Sequence, residues 1–306
     1  MKTHLVTHGD LDGVGAAVLA KVFFPDVDHI FYADYTTVDN YLSNFISSNK
    51  QKTDIQLLIT DICPSESTCE ELDKVADQFR IRVFDHHKTR QWAEKYSWVT
   101  FDVTKCGTSI FFDYLNKLIP YPDGSKLEEF VQAVEAWDLW KLASPFRPRG
   151  EQLNALYKFV QSAEFINIFM NNPGADKEEP LSALMHFIQL DKEAIIRRAL
   201  ANCQKNPIIR RDSLGNTYTI IFTSDYVSEV CHAILEHPDF DDLHYVVAYS
   251  PVAEACSLRT KDARIDVSDI AKRLGGGGHK DAAGFYYPIR NHIEENIFKL
   301  IAQIEY

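Results

Sequence analysis

No stretch of this 306-residue chain approaches the run of about 18 uninterrupted apolar residues that marks a membrane-spanning helix. The opening MKTHLVTHGD reaches polar and charged residues before any apolar segment of signal-peptide length. The expectation is a cytoplasmic protein with no membrane association. A C-x-x-C pair is also missing. Cys63, Cys69, Cys106, Cys203, Cys231 and Cys256 are scattered, which excludes a disulfide framework and a cysteine-based zinc site and leaves reduced thiols as small packing residues. Basic tracts are absent as well: Lys and Arg number 32 against 44 Asp and Glu, a formal net charge of −12. Affinity for long nucleic acid rests on many cationic contacts, so a protein that coats such a polymer is excluded, while a small phosphorylated ligand is not. There is no internal repeat and no low-complexity tract.

What is present suits an ordinary globular protein, with 45% hydrophobic residues and length enough for two cores. Short strand-like runs at 4–8, 29–33, 55–61, 81–85 and 98–101 alternate with segments at 13–23, 38–48, 66–79 and 108–119, whose apolar positions recur at helical spacing. This alternation predicts a parallel α/β sheet. Residues from about 127 to 206 read as helix with polar breaks. Strands return at 217–223, 244–250 and 254–260, followed by a helical VSDIAKRL, a glycine run and an amphipathic helix near 291–304. The predicted domains are 1–140, a helical connector at 141–206, and a smaller α/β domain at 207–306. Charge divides unevenly between them: residues 1–140 hold 13 Lys and Arg against 22 Asp and Glu, whereas 251–290 hold 7 against 5.

In parallel sheets ligands gather beyond the carboxyl ends of the strands, so the polar residues closing each strand are where chemistry is sought. THGDLDG supplies His8, Asp10 and Asp12, LLITD supplies Asp61, and VFDHH supplies Asp85, His86 and His87. Asp138 lies far along, between the tryptophans of EAWDLW, for which core packing is the simpler role. Any one such aspartate is usually a helix cap or turn residue. Several carboxylates and imidazoles at one sheet edge would repel and desolvate one another, and divalent cations remove that conflict. Oxygen-rich sites with some imidazole suit Mn²⁺ or Mg²⁺ better than zinc or copper. Two such ions would activate a water and neutralise a phosphoryl group.

HGDLDG, ITD, DHHK and GGGGHKDAAG occur in the order found in the DHH/DHHA1 phosphoesterases, and the chain resembles that family over nearly its whole length. The resemblance is greatest to its small nano-RNases, or oligoribonucleases. It implies a parallel-sheet DHH catalytic domain, a helical connector and a DHHA1 substrate-binding domain, with the active site in the cleft between the domains. It also implies two divalent ions, Mn²⁺ first, with Mg²⁺ and Co²⁺ as alternatives. Carried over by position, His8, Asp10 and Asp61 hold one ion, and Asp12, Asp61, His86 and Asp138 hold the other. Asp85 orients His86, and His87 faces the substrate phosphate, which makes Asp61, Asp85 and His87 the catalytic group. One departure is spacing: His8 precedes Asp10 by two residues, where several relatives place the histidine four ahead.

The run GGGGHKDAAGF lacks the G-K-S/T of a Walker loop, but glycines let backbone N–H groups approach an anion closely. The resemblance assigns Gly275, Gly276, Gly277, Gly278 and His279, together with Arg259, to substrate binding. The implied activity is hydrolysis of short oligoribonucleotides and linear dinucleotides such as pGpG to nucleoside monophosphates. The alternatives are a 3′-phosphoadenosine 5′-phosphate phosphatase, a cyclic-dinucleotide phosphodiesterase, and a nucleotide-binding sensor without catalysis. The partner is then short RNA or a dinucleotide, with no long nucleic acid and no membrane, and the oligomeric state is left open.

Overall fold

The computed structural model describes residues 2–27, 29–119, 121 and 124–288, so the helix expected near 291–304 lies outside the described residues. The chain divides into two compact units, 1–189 and 190–306.

In the first unit the elements run β1 (Lys2–His8), α1 (Leu11–Phe23), β2 (His29–Ala33), α2 (Val38–Asn49), β3 (Ile55–Thr60), α3 (Glu66–Asp73), α4 (Ala76–Phe79) and β4 (Ile81–Asp85). A 3₁₀ helix over Lys88–Lys95 follows, then β5 (Val99–Phe101), α5 (Gly107–Leu118), α6 (Gly124–Asp138) and α7 (Arg147–Phe169). The sheet is wholly parallel with order β2-β1-β3-β4-β5. The order reverses between β1 and β3, and the crevice beyond the carboxyl ends at such a reversal is where α/β sheets bind ligands. All six residues of β3 are buried, as a central strand covered on both faces requires. Leu5, Val6, Leu57, Leu58, Ile59, Val83 and Phe84 form the middle of the core.

Helix α1 is apolar on nearly every side because it is covered on nearly every side: it packs on β1 and against α5, α6 and α7. Its small residues permit that crowding. The segment 66–79 forms two helices rather than one, separated at Lys74–Val75 and closed by Arg80 in the left-handed region at φ 43°.

The boundary between units falls inside α8 (Leu181–Lys205). The second unit then contains β6 (Ile209–Arg211), β7 (Thr217–Phe222), α9 (Val227–Glu236), β8 (Tyr245–Ser250), β9 (Ala255–Thr260), α10 (Val267–Arg273), β10 (Gly277–Gly278) and β11 (Ala282–Tyr286). They form a mixed sheet, β10-β11-β9-β8-β7-β6, in which only β7 and β8 run parallel, joined by α9. Val230, Cys231, Ile234 and Leu235 of α9 pack on Val246 and Ala248 of β8. No helix among the described residues is long and apolar enough to cross a membrane.

Candidate metal centre

The turn after β1 gives each carboxylate two tasks. Asp10 is the N-cap of α1, its Oδ1 accepting from Gly13 N–H at 3.0 Å, while its Oδ2 lies 2.7 Å from His8 Nδ1. The capping role and a role in a site therefore fall to different oxygens of one side chain. Asp12 is buried and accepts from the N–H groups of Gly107 (2.6 Å) and Thr108 (2.8 Å) at the start of α5. The positive end of that helix favours a carboxylate there. Thr108 Oγ1 donates back to the Asp12 carbonyl at 2.5 Å.

Asp61 follows β3 with φ 56°, a left-handed conformation that aspartate tolerates better than most residues. Its N–H donates to the Phe84 carbonyl at 2.8 Å. Gly107 lies so close beneath it that a Cβ there would stand 2.7 Å from Asp61 Cβ. From β4 comes His86, whose Nε2 lies 3.3 Å from Asp61 Oδ1, 3.8 Å from Asp12 Oδ2 and 3.5 Å from Asp138 Oδ2.

Asp138 closes α6. The carbonyls of Ala136 and Trp137 in the last turn accept from Arg147 Nη1 at 3.2 and 3.1 Å. The Arg147 guanidinium lies over both Trp137 and Trp140, with its carbon 4.5 and 3.9 Å from their ring centroids. The two tryptophans thus hold the arginine that caps the helix presenting Asp138.

Asp85 differs from expectation. Its Oδ1 is bound by the ring Nδ1 of His87 at 2.7 Å, and it reaches His86 through the backbone N–H at 2.9 Å. The imidazole it orients is that of His87, because the chain turns directly after β4 and folds the second histidine back over the aspartate.

The donor atoms form overlapping sets, each with all its atoms within 4.8 Å of one another: His8, Asp10 and Asp61; Asp12, His86 and Asp138; Asp61, His86 and His87. The six side chains expected to hold metal are thus brought together, and His8 reaches the group despite its altered spacing. Burial, and then the charges of Asp12, Asp10 and Asp138, push the Asp61 carboxyl well above the usual range. Burial followed by Asp12 and Asp10 does the same to Asp138. Burial works against ionisation of Asp10 too, but His8 and the Gly13 N–H hold it below the ordinary range. The Asp10 charge in turn raises His8 to about 9. Burial lowers His86, favouring the neutral imidazole that ligates.

Asp61 Oδ2 and Asp138 Oδ2 are completely buried and have no hydrogen-bond donor among the described residues. Carboxylate oxygens left in that state cost free energy, and a cation relieves it. The donor set fits divalent ions that favour oxygen with some imidazole.

In the second unit Arg259, on β9, donates from Nη1 to the Leu258 carbonyl at 2.9 Å and from Nη2 to Ser228 Oγ at 3.0 Å. The glycine run is not the open anion cradle that its composition promised. Gly275, Gly276 and His279 already donate their N–H groups to the carbonyls of Lys272, Ala271 and Ala282, and Gly277 and Gly278 pair with β11. Glycine is needed because a Cβ on Gly276 would stand 2.7 Å from Phe285 Cβ, and because Gly278 has φ 137°.

A five-stranded parallel sheet with carboxylates and imidazoles at its switch point, followed by a smaller mixed α/β unit, is the fold shared with DHH-domain proteins. No family model matches the chain. It is 27% identical over 296 residues to oligoribonuclease NrnB of Bacillus subtilis, covering 92% of this chain and 72% of that protein. It is 25% identical to a 3′,5′-cyclic-nucleotide phosphodiesterase of Helicobacter pylori, covering 93% and 92%. Among solved structures, the DHH domain of a member of a ribosomal-protein family matches with TM-score 0.64 at 13% identity, covering 100% of this chain and 87% of that one. The pGpG-specific phosphodiesterase PggH of Vibrio cholerae matches with TM-score 0.52 at 12% identity, covering 98% and 99%. In sequence the chain is similar to an oligoribonuclease and a phosphodiesterase, and in fold to DHH-domain proteins.

Residues that the strand-end pattern did not mark are Gly107 and Thr108, which hold Asp12 through backbone N–H groups, and Arg147, which caps α6. The glycine ahead of TSIFF was the one available signal.

Proposed function

We propose that this protein hydrolyses short oligoribonucleotides and linear dinucleotides such as pGpG to nucleoside monophosphates. The observation carrying this reading is Asp61, whose Oδ2 lies 3.7 Å from His8 Nδ1 and whose Oδ1 lies 3.3 Å from His86 Nε2, so that one buried carboxylate serves two donor sets. The likeness to an oligoribonuclease over 92% of the chain supports the substrate class. His8, Asp10 and Asp61 would hold one divalent ion, and Asp12, Asp61, His86 and Asp138 a second, with Mn²⁺ the leading candidate and Mg²⁺ and Co²⁺ the alternatives. Such ions neutralise phosphoryl charge and make water acidic enough to attack near neutral pH. The chain's own contribution is positional. Asp85 holds the His87 ring at Nδ1, and His87 would face the substrate phosphate. Arg259 contributes to substrate binding, and the 275–279 segment contributes by its placement rather than through the N–H groups of Gly275, Gly276 and His279, which are bonded within the unit.

Cyclic-nucleotide hydrolysis is the second reading, favoured by the likeness to the Helicobacter pylori enzyme. The test is purified protein with Mn²⁺ and, separately, pGpG, a 3′,5′-cyclic nucleotide and a cyclic dinucleotide. Release of two GMP per pGpG is the expected result. Faster turnover of a cyclic substrate selects the second reading, and binding without turnover of any of them makes the protein a sensor.

A further inference from the structure

The run DHHKTR ends in Arg90, which nothing so far uses. Residues Lys88–Lys95 form a 3₁₀ helix with His87 at its N-cap, and Arg90 N–H donates to the His87 carbonyl at 2.7 Å. Side chains three apart eclipse one another in this geometry, so Arg90 is carried on the same side as His87. Its guanidinium carbon lies 4.9 Å from the centroid of the Tyr35 ring. Tyr35 in turn meets His87 edge-on with ring centroids 6.0 Å apart and stands 6.4 Å from His8. Arg90 and Tyr35 therefore flank the metal centre on the side of His87.

Arginine beside so many carboxylates would ordinarily pair with one. Among the described residues no carboxylate lies within ion-pair distance of Arg90, and its Nε is completely buried without an acceptor. Asp85 Oδ1 is bound by His87 and Asp10 Oδ2 by His8, and neither acid forms an ion pair with Arg90. What remains is a guanidinium over an aromatic ring, with donors in a fixed fork and no ion-pair partner among the described residues.

We propose that Arg90 binds a non-bridging oxygen of the scissile phosphate beside His87, and that Tyr35 is a positioning residue holding its guanidinium plane. This rests on the phosphodiesterase reading and deepens it. Because the contact is to the bond being cleaved, it acts at every substrate length. It requires the planar fork, for which a lysine is an incomplete substitute.

The experiment compares the metal-loaded full-length wild type with Arg90→Ala, Arg90→Lys, Tyr35→Phe and Tyr35→Leu. Two readouts are used: turnover of a dinucleotide and a pentanucleotide, and calorimetric binding of inorganic phosphate. Arg90→Ala is expected to lower kcat by about 100-fold for both lengths, a loss typical of one transition-state donor, and to weaken phosphate binding with Mn²⁺ binding unchanged. Arg90→Lys should recover part of the loss. Tyr35→Phe should match wild type, and Tyr35→Leu should lose about threefold, the worth of an exposed cation–π contact. The proposal is overturned if phosphate affinity and turnover in a folded Arg90→Ala or Arg90→Lys variant stay within twofold of wild type, or if metal binding is lost along with them. A wild type that cleaves no phosphodiester but loses phosphate affinity on Arg90→Ala leaves the subsite standing and removes the function.

Discussion

Asp61 concentrates the chemistry in one residue: a left-handed backbone, a fully buried side chain and a distinct neighbour at each oxygen. Asp61→Asn keeps the shape and removes the charge, and we expect kcat/KM to fall by at least ~10³-fold with weakened metal binding, comparable with losing a major electrostatic stabiliser. Near-wild-type turnover in the folded variant would remove Asp61 from this role. A second prediction follows from the bond between Asp85 and His87. Asp85→Asn and His87→Ala should each lower kcat while both metal affinities persist, and the double variant should be little worse than the worse single, since both changes remove one oriented imidazole. Additive losses in that cycle would show that Asp85 acts elsewhere. The acids and imidazoles were legible in the sequence because they close strands, where ligands gather. Gly107 and Thr108 were not, since the groups they offer to Asp12 are backbone N–H, which almost every residue carries. The partner of Asp85 was misread because adjacent histidines cannot be told apart until the turn that follows them is known.

At the scale of elements, the strands of the first unit fall within two residues of their β-branched runs, because each is bounded by polar residues and a helical pattern. Helix α9 passed unmarked although Val227, Val230, Cys231, Ile234 and Leu235 follow helical spacing, since its ten residues lie between two strand signals that dominate the region. Glycine composition concealed β10, which is strand only because β11 lies against it. The helix carrying Asp138 yields the third prediction. Arg147 is almost fully buried, satisfies two end-of-helix carbonyls and lies over two tryptophans. Arg147→Ala should cost about 2–4 kcal/mol of stability through the lost hydrogen bonds and packing. It should also weaken one metal site while sparing the set built from His8, Asp10 and Asp61, as two-site calorimetry would show. Equal weakening of both sites would mean that α6 is not the element Arg147 serves.

For the whole molecule, 32 Lys and Arg against 44 Asp and Glu, a formal charge of −12, disfavour binding of a long polyanion. The fourth prediction is therefore fastest hydrolysis at roughly two to five nucleotides with a sharp decline beyond, because longer chains gain little affinity from added phosphates. Arg259→Ala should slow dinucleotides more than longer oligomers, which have other phosphates to offer. A 25-nucleotide strand degraded as fast as a dinucleotide, or an equal slowing at every length, would count against this assignment.

The metal centre also has a consequence in time. Its donors come from the ends of β1, β3 and β4, from the first turn of α1 and from the end of α6, so the first, His8, and the last, Asp138, are separated by most of the first unit's sequence. Loops of that size close late, after the contacts that nucleate folding. Divalent ions should therefore lower the rate of unfolding and leave the rate of refolding nearly unchanged, because they stabilise interactions absent from the transition state. Stopped-flow unfolding and refolding with Mn²⁺ and with chelator would measure this, and refolding accelerated by metal would mean that the ions gather the chain early. With only the unfolding arm affected, the ions act as a latch: they report that the fold is complete and lengthen the life of the finished molecule.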